Sequence, residues 1–112
     1  IGEEAFIHCR ALRNVTSPGS VSSISKSAFA ECSALYSVEL QEGVTSIGEA
    51  AFLSCSSLQQ VSIPDSVTAI AKNAFHHCPE DMYLIVGRDQ YAELYAIENN
   101  IPFYYRDSPN LP

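Results

Sequence analysis

A short stretch, Ser27–Cys32 (SAFAEC), recurs in the chain every 23 residues without insertion or deletion. The phenylalanines and cysteines that mark it are Phe6, Phe29, Phe52 and Phe75, and Cys9, Cys32, Cys55 and Cys78. A fixed period of this length indicates a solenoid, because one unit cannot bury its apolar side alone and does so against its neighbours. The sequence therefore predicts a stack of about four coils.

Alignment of the coils at this period shows which positions are apolar throughout. The columns are Ile1, Ile24, Ile47 and Ile70; Ala5, Ala28, Ala51 and Ala74; Leu12, Leu35 and Leu58; Val15, Val38, Val61 and Leu84; Leu40, Ile63 and Val86, with Ser17 as the exception; and Val21, Val44 and Val67. We expect these columns to line the interior of the stack.

Each coil contains a segment with the two-residue period of a strand that has one buried face. In the third coil, residues 58–64 alternate around Val61 and Ile63. Pro64 ends the segment because proline has no N–H to donate to a sheet. Stacked coils would place these strands in a parallel sheet about 4.8 Å apart.

The rest of the coil predicts two shorter elements. A second extended piece covers Val67–Ile70, after a turn. The following piece, Asn73–Cys78, is interpreted as about one helical turn with Phe75 and Cys78 facing inward at positions i and i+3.

From Ile47 to Ala69 the coil has the pattern Ile-Gly-x-x-Ala-Phe-x-x-Cys-x-x-Leu-x-x-Val-x-Ile-Pro-x-x-Val-x-x. This pattern resembles the BspA-like leucine-rich repeat, and the resemblance extends from Ile1 to about Val86. Asp81 replaces the leucine in the fourth coil, which suggests that the array ends there. The resemblance implies a right-handed α/β solenoid of the leucine-rich-repeat type. We expect a parallel β-sheet with short helical turns, followed by a C-terminal helix-strand cap.

The period breaks after Val86, as a terminal cap requires. Asp89 is expected to cap a helix through its carboxylate. Three large side chains follow at spacings that place them on one face, namely Tyr91, Leu94 and Tyr95. Asn99–Asn100 would end the helix, and 101–105 would add an edge strand blunted by Pro102.

The predicted organisation is therefore repeats at 1–86, a cap at 87–105 and a tail or linker at 106–112. The chain has 112 residues and opens on Ile1, part-way into a repeat, so we expect the natural protein to continue upstream. Its net charge of −7 would repel nucleic acid and anionic lipid headgroups. No apolar run reaches the roughly 18 residues that a membrane-spanning helix needs.

The cysteines and histidines are the residues most suggestive of chemistry. Four cysteines in one column would point the same way, which fits a disulfide poorly, so we expect buried thiols. His8 and His77 share a column but lie three coils apart, roughly 14 Å, too far to share a metal ion. Adjacent His76 and His77 are expected to point in different directions and to be solvated. We predict no metal site and no cofactor.

No catalytic frame is evident in the sequence. The serines have no nucleophile elbow around them. Acidic pairs could be assembled from Glu31, Glu39, Glu42 or Asp65, but an open sheet offers no pocket to separate their pKa values. We therefore expect a protein that is not an enzyme.

The outward face of the strands is the candidate binding surface, because an irregular polar and aromatic face on a regular frame is typical of solenoid recognition. Its candidate ligand-binding residues are Arg13, Asn14, Tyr36, Ser37, Glu39, Gln59, Gln60, Met82 and Tyr83. The alternative is that these positions vary because nothing constrains them, and that Tyr83 and Ile85 pack beneath the cap.

Proteins with BspA-like repeats are largely secreted or displayed on the surface of bacteria and some protozoa, where they are implicated in adhesion and protein binding. The resemblance therefore implies an extracellular or cell-surface module that contacts a host, matrix or neighbouring protein. Two alternatives stay open: a structural spacer, and a carbohydrate-binding module that stacks sugars on Tyr36, Tyr83, Tyr104 and Tyr105. Self-association through the open first coil is also expected.

Overall fold

A computed structural model describes residues 1–112. The chain forms four stacked coils followed by a cap. The elements in chain order are β1 (Asn14–Thr16), β2 (Ser23–Ile24), β3 (Ser37–Glu39), β4 (Ser46–Ile47), β5 (Gln60–Ser62), β6 (Ala69–Ile70), β7 (Tyr83–Val86), α1 (Tyr91–Glu98) and β8 (Phe103–Tyr105). Strands of equivalent position in successive coils pair in parallel. They form one sheet in the order β1-β3-β5-β7-β8 and a second in the order β2-β4-β6.

The register of both sheets follows the 23-residue period. In the larger sheet Val15 pairs with Val38, and Val61 pairs with Leu84. In the smaller sheet Ile24 pairs with Ile47. Each residue therefore lies beside its equivalent in the next coil, and the inward columns predicted from the sequence meet in one continuous core.

The phenylalanine column forms the centre of this core. Neighbouring rings from Phe6 to Phe75 stack almost parallel, with centroids 5.2 to 5.4 Å apart. Phe29 and Phe52 are fully buried, whereas Phe6 is 41% exposed and Ala5 is also exposed. The prediction that the alanine column lines the interior is therefore wrong for Ala5, because no coil covers the outer side of the first one.

The segment predicted as a helical turn, Asn73–Cys78, is a run of turns in all four coils, so the prediction of a helix is wrong. Its inward-facing residues were predicted correctly, since Phe75 is in the core and Cys78 packs against it. In the second coil, alternate N–H groups reach carbonyls of the next coil, from Ser27 to Glu49, from Phe29 to Ala51 and from Glu31 to Leu53. Ser27 and Glu31 have φ of 56° and 58°, a left-handed conformation that cannot continue a right-handed helix. The segment thus links coils instead of forming a separate helix.

The four cysteines are thiols in one column. The Cys32 thiol donates to the Phe6 carbonyl at 3.1 Å, and the equivalent bond joins Cys55 to Phe29. Burial raises the pKa of Cys55 to about 12, with the neighbouring thiols adding to the shift. The thiol interpretation agrees with this geometry, since the sulfurs of Cys32, Cys55 and Cys78 each donate to a backbone carbonyl.

The cap consists of α1 and β8. The helix packs Ala92, Tyr95 and Ala96 into the core and leaves Leu94 53% exposed, so the predicted face of three large side chains is wrong at Leu94. The Tyr95 hydroxyl donates to the Ala71 carbonyl at 3.0 Å. The buried face therefore comes from small residues flanking one tyrosine, which lets the short helix approach the last coil closely.

The start of α1 also differs from the prediction. The N-cap residue is Gln90, and no side chain caps the helix there. Asp89 instead has a left-handed φ of 59°, and its N–H donates to the Glu93 carboxylate at 2.8 Å. Hydrogen bonds from the Tyr105 hydroxyl and then from this N–H lower the pKa of Glu93. At the other end Asn100 is left-handed, as expected for the residue that ends the helix.

Strand β8 pairs in parallel with β7, with Phe103 beside Leu84, and so extends the larger sheet as the sequence predicted. α1 is the only helix, and it is too short to cross a membrane.

Candidate functional site

The strand face is the outward side of the larger sheet, and its side chains alternate with the buried valines and leucines of the same strands. It has two columns that run across the coils. The first contains Asn14, Ser37, Gln60 and Tyr83, and the second contains Thr16, Glu39, Ser62, Ile85 and Tyr104. Because the strands are in register, these side chains form two straight rows across a rigid support.

A groove of about 630 Å³ runs over this face and crosses all four coils. Outward side chains that line it include Asn14, Thr16, Glu39, Gln60, Ser62 and Ile85. Glu42, Arg106 and Leu111 line its borders from outside the strands. The groove is open and shallow, and most of its lining residues are polar or charged. Its open shape suits an extended chain better than a compact small molecule.

The groove is acidic near the second coil. Glu39 and Glu42 both line it, and neither carboxylate forms an ion pair. Glu42 accepts the N–H of Asp65 at 3.1 Å, which holds it at the border. Nearby, the Ser37 hydroxyl donates to the Asn14 side-chain carbonyl at 2.6 Å. This part of the strand face therefore offers ordered oxygen acceptors to a donor-rich or cationic partner.

The cap end of the strand face is aromatic. The Tyr83 hydroxyl donates to the Gln60 side-chain carbonyl at 2.7 Å, and the Tyr83 ring meets the edge of Tyr104 with centroids 5.1 Å apart. Burial, together with the nearby hydroxyls of Tyr36 and Tyr104, raises the pKa of Tyr83. Tyr36 itself is 54% exposed. The exposed Tyr36 therefore lies close to the packed pair of Tyr83 and Tyr104.

The structure separates the predicted ligand-binding residues into three groups. Exposed on the strand face or directly beside it are Arg13, Asn14, Tyr36 and Glu39, while Ser37, Gln59 and Gln60 are half-buried. Met82 and Tyr83 are buried, with exposures of 3% and 9%, so the prediction that they present accessible side chains is wrong. Met82 belongs to the core, and Tyr83 is covered by Tyr104 of the added strand.

Sequence reasoning missed the contribution of the tail, residues 106–112. Arg106 and Leu111 line the groove although they lie outside every repeat. Nothing in the 23-residue pattern marks them, and only the parallel addition of β8 brings this part of the chain beside the strand face.

The histidines lie away from the strand face. The rings of His76 and His77 are in contact, with centroids 4.1 Å apart, so the prediction that they point in different directions is wrong. His8 lies 3.5 Å from the Glu31 carboxylate on an exposed part of the turns. No group of three or more His, Cys, Asp or Glu side chains is arranged to hold a metal ion.

Comparison with known proteins gives two matches. A family profile described as "BspA type Leucine rich repeat region (6 copies)" matches residues 1–100. The crystal structure of a leucine-rich cell surface protein from Faecalibacterium prausnitzii A2-165 is similar, with a TM-score of 0.70 and 29% sequence identity. The alignment covers 97% of this chain and 24% of that protein, so this chain spans about a quarter of its length. No curated protein matches the chain.

Proposed function

Because the chain belongs to the BspA-type leucine-rich repeat family, we propose that it is a module of the cell surface that binds a protein partner through its strand face. The similar solved protein is described as a cell surface protein, which supports an extracellular position for this solenoid. The proposed partner is an exposed protein of a host, of the surrounding matrix or of a neighbouring cell.

The observation that carries the proposal is the groove on the strand face. It presents polar and charged side chains in fixed rows, because every strand beneath it is anchored by buried residues such as Val38 and Val61. A preorganised surface loses little conformational entropy on binding. Tyr36 supplies an exposed aromatic ring beside these rows, and tyrosine is enriched among residues that dominate interface energies.

The charge of the groove indicates the kind of partner. Glu39 and Glu42 have no ion partner, and the whole chain has a net charge of −7. A partner with a basic surface would therefore be attracted at long range, and its association rate should fall as the salt concentration rises.

The proposed role is recognition and not catalysis. The two outward columns contain no histidine or cysteine, and the groove is open to water along its length. General acid–base catalysis requires groups of matched pKa in a protected site, whereas this groove is open to solvent.

The test is binding of the purified chain to an array of extracellular-matrix proteins and polysaccharides. A triple variant, Tyr36→Ala, Glu39→Gln and Gln59→Ala, should bind roughly tenfold or more weakly, because it removes the exposed ring and polar groups of the face. A matched control, Leu94→Ala with Ile97→Ala, changes two exposed residues of α1 and should bind like the parent.

Equal affinity of the triple variant and the parent would show that the strand face is not the binding surface. Absence of binding to every member of the array would contradict the binding role and favour a structural spacer. Binding confined to the polysaccharides would contradict a protein partner and point to stacking on the exposed tyrosines.

A further inference from the structure

The tail, residues 106–112, folds back toward the strand face instead of leaving the domain. The N–H of Arg106 donates to the Val86 carbonyl at 2.8 Å and so continues the hydrogen-bond ladder between β8 and β7. The Arg106 guanidinium donates to the Ile63 carbonyl and lies 3.4 Å from the Asp65 carboxylate. These contacts hold the beginning of the tail at the border of the groove.

The rest of the tail is ordered by its own turns and by one ion pair. Asp107 pairs with Arg88 at 3.3 Å, and the N–H of Ser108 donates to the Tyr105 carbonyl at 3.0 Å. The N–H of Asn110 then donates to the Ser108 hydroxyl at 3.1 Å. The chain is thereby turned so that Leu111, which is half-buried, lines the same groove as the outward side chains of the strands.

We propose that the tail covers part of the strand-face groove from its border, and that a partner must displace it to bind along the whole groove. This inference rests on the proposed function and specifies the partner's chemistry. The tail indicates what the groove accepts, which is a short peptide folded in turns, with a basic residue at one end and a branched apolar side chain five residues later. Such a segment on a partner would take the place of Arg106 and Leu111.

Charge explains how a partner would compete successfully with a tethered segment. The tail contains one basic residue, Arg106, and one acidic residue, Asp107. It therefore brings no net charge to the groove and leaves Glu39 and Glu42 without ion partners. A peptide with additional basic residues would pair with these carboxylates and gain interactions that the tail cannot make.

The first part of the test asks whether Leu111 occupies the groove. In the full chain, Leu111→Asp should move the NMR resonances of Thr16, Ser62 and Ile85, because the leucine side chain leaves their neighbourhood. The control Leu94→Asp, on the exposed side of α1, should move resonances of the helix alone. Equal melting temperatures would show that both variants are folded. Unchanged groove resonances in the Leu111→Asp variant would overturn the inference.

The second part asks whether the groove accepts a peptide once it is free. The probe is a synthetic peptide with the sequence of the tail, Arg-Asp-Ser-Pro-Asn-Leu-Pro, titrated by NMR into the parent and into the Leu111→Asp variant. If the tail occupies the groove in nine molecules of ten, the variant should bind the peptide roughly tenfold more tightly than the parent. A Leu→Asp version of the peptide should not bind.

A version of the peptide in which lysine replaces the aspartate should bind the variant more tightly than the tail sequence, and this gain should disappear in 1 M salt. Equal affinity of parent and variant for the tail peptide, or no binding to either, would overturn the inference. The array experiment tests the proposed function separately. If the parent binds a partner and Leu111→Asp does not change the affinity, the tail has no role, but the proposed function stands.

If neither the parent nor Leu111→Asp binds any protein of the array while the peptide still enters the groove, the proposed surface partner is rejected and the role of the tail stands.

Discussion

At the scale of single residues, the stacked phenylalanines concentrate much of the core in one column. Phe52 is fully buried between two other rings at 5.4 Å, whereas Phe6 is 41% exposed and stacks on one side only. Phe52→Ala should therefore cost about 3–5 kcal/mol of the free energy of unfolding, and Phe6→Ala less than about half of that. Urea denaturation of the two variants measures the difference. Similar losses at both positions would contradict a column whose contribution depends on burial.

Gly48 lies where the backbones of two neighbouring coils approach each other closely. A Cβ on Gly48 would lie 2.9 Å from the Lys26 nitrogen and 3.0 Å from the Ser25 carbonyl carbon, both backbone atoms. The N–H of Gly48 donates to the Ile24 carbonyl at 2.7 Å, the shortest of the equivalent bonds. Gly48→Ala should therefore destabilise the protein by about 1–3 kcal/mol through overpacking.

The matched control is Gly2→Ala, because a Cβ on Gly2 would meet no atom within 4 Å. This change should be neutral or slightly stabilising, since alanine restricts the unfolded chain. Thermal unfolding of both variants makes the comparison, and a loss at Gly2 as large as that at Gly48 would show that coil contact is not the cause.

Burial of single residues was predictable from the sequence because each position of the coil recurs in three or four coils. A column that is apolar in every coil, such as Val38 with Val61, faces the core in the structure. The errors fall where the repetition gives no information about neighbours. Ala5 lies in an apolar column but is exposed in the first coil, and Met82 lies in a variable column but is buried against the cap.

At the scale of elements, the turn segments show why periodicity alone was not sufficient to predict the local backbone conformation. The spacing of Phe75 and Cys78 fits a helical turn, yet alternate backbone N–H groups in these segments bond to the next coil. The conformation depends on left-handed φ at ordinary residues such as Ala50 and Ser54, which no glycine or asparagine signals in the sequence. The hydrogen bonds between coils determine the local conformation, and a single coil does not reveal them.

The cap was predicted as a helix and a strand, and its contacts explain the errors at the strand face. The order of elements and the edge position of β8 could be inferred from the end of the repeat, whereas the contact of Tyr104 with Tyr83 could not. This placement puts Tyr104 against Tyr83 and so buries a side chain predicted to be accessible. It also directs the tail to the groove.

The Tyr95 hydroxyl is one of two tyrosine hydroxyls that attach α1 to the fourth coil, and it can be removed without changing the shape of the ring. The Tyr95 hydroxyl donates to the Ala71 carbonyl at 3.0 Å, and burial raises the pKa of Tyr95 to about 12. Tyr95→Phe should cost about 1 kcal/mol, the usual net value of a hydrogen bond. Tyr36→Phe is the control, because this ring is 54% exposed and its hydroxyl has no partner within the protein. Chemical denaturation with equal losses for the two variants would show that the cap does not depend on this bond.

At the scale of the whole molecule, two cysteine thiols in or against the core should make the free energy of unfolding fall at alkaline pH. Burial raises the pKa of Cys55 to about 12 and that of Cys78 to about 11, from an ordinary value of 9.0. The unfolded chain loses these protons first, so their contribution to stability is complete below pH 9 and is lost as the pH rises to about 11 for Cys78 and to about 12 for Cys55. Each thiol should add a slope of about −1.4 kcal/mol per pH unit in this window.

Urea titrations at several pH values between 8 and 11 measure this slope. Cys55→Ala removes one titrating group, so its stability should decline less steeply than that of the parent, whatever the cost of the substitution at pH 8. Parallel declines for the parent and the variant would show that Cys55 keeps an ordinary pKa in the folded protein.

The two ends of the solenoid differ, and the difference predicts self-association. At one end β8 is followed by the ordered tail and preceded by Pro102, which has no N–H. At the other end β1 is an unpaired edge strand, and the same coil exposes Phe6 and Ala5. Unpaired N–H and C=O groups next to apolar surface favour pairing with a second copy. We therefore expect association through the first coil at high protein concentration.

Sedimentation velocity over a wide concentration range tests this expectation. The sedimentation coefficient of the parent should increase with concentration, and Phe6→Glu should abolish the increase, because it places a charge in the apolar end. Leu94→Glu, at a similarly exposed leucine on α1, should behave like the parent. The end of one coil is a small surface, and interfaces below about 1,200 Å² are usually weak, so association should be reversible by dilution. A parent that sediments as a monomer at every concentration would contradict the prediction, and loss of association in Leu94→Glu would place the contact at the cap instead.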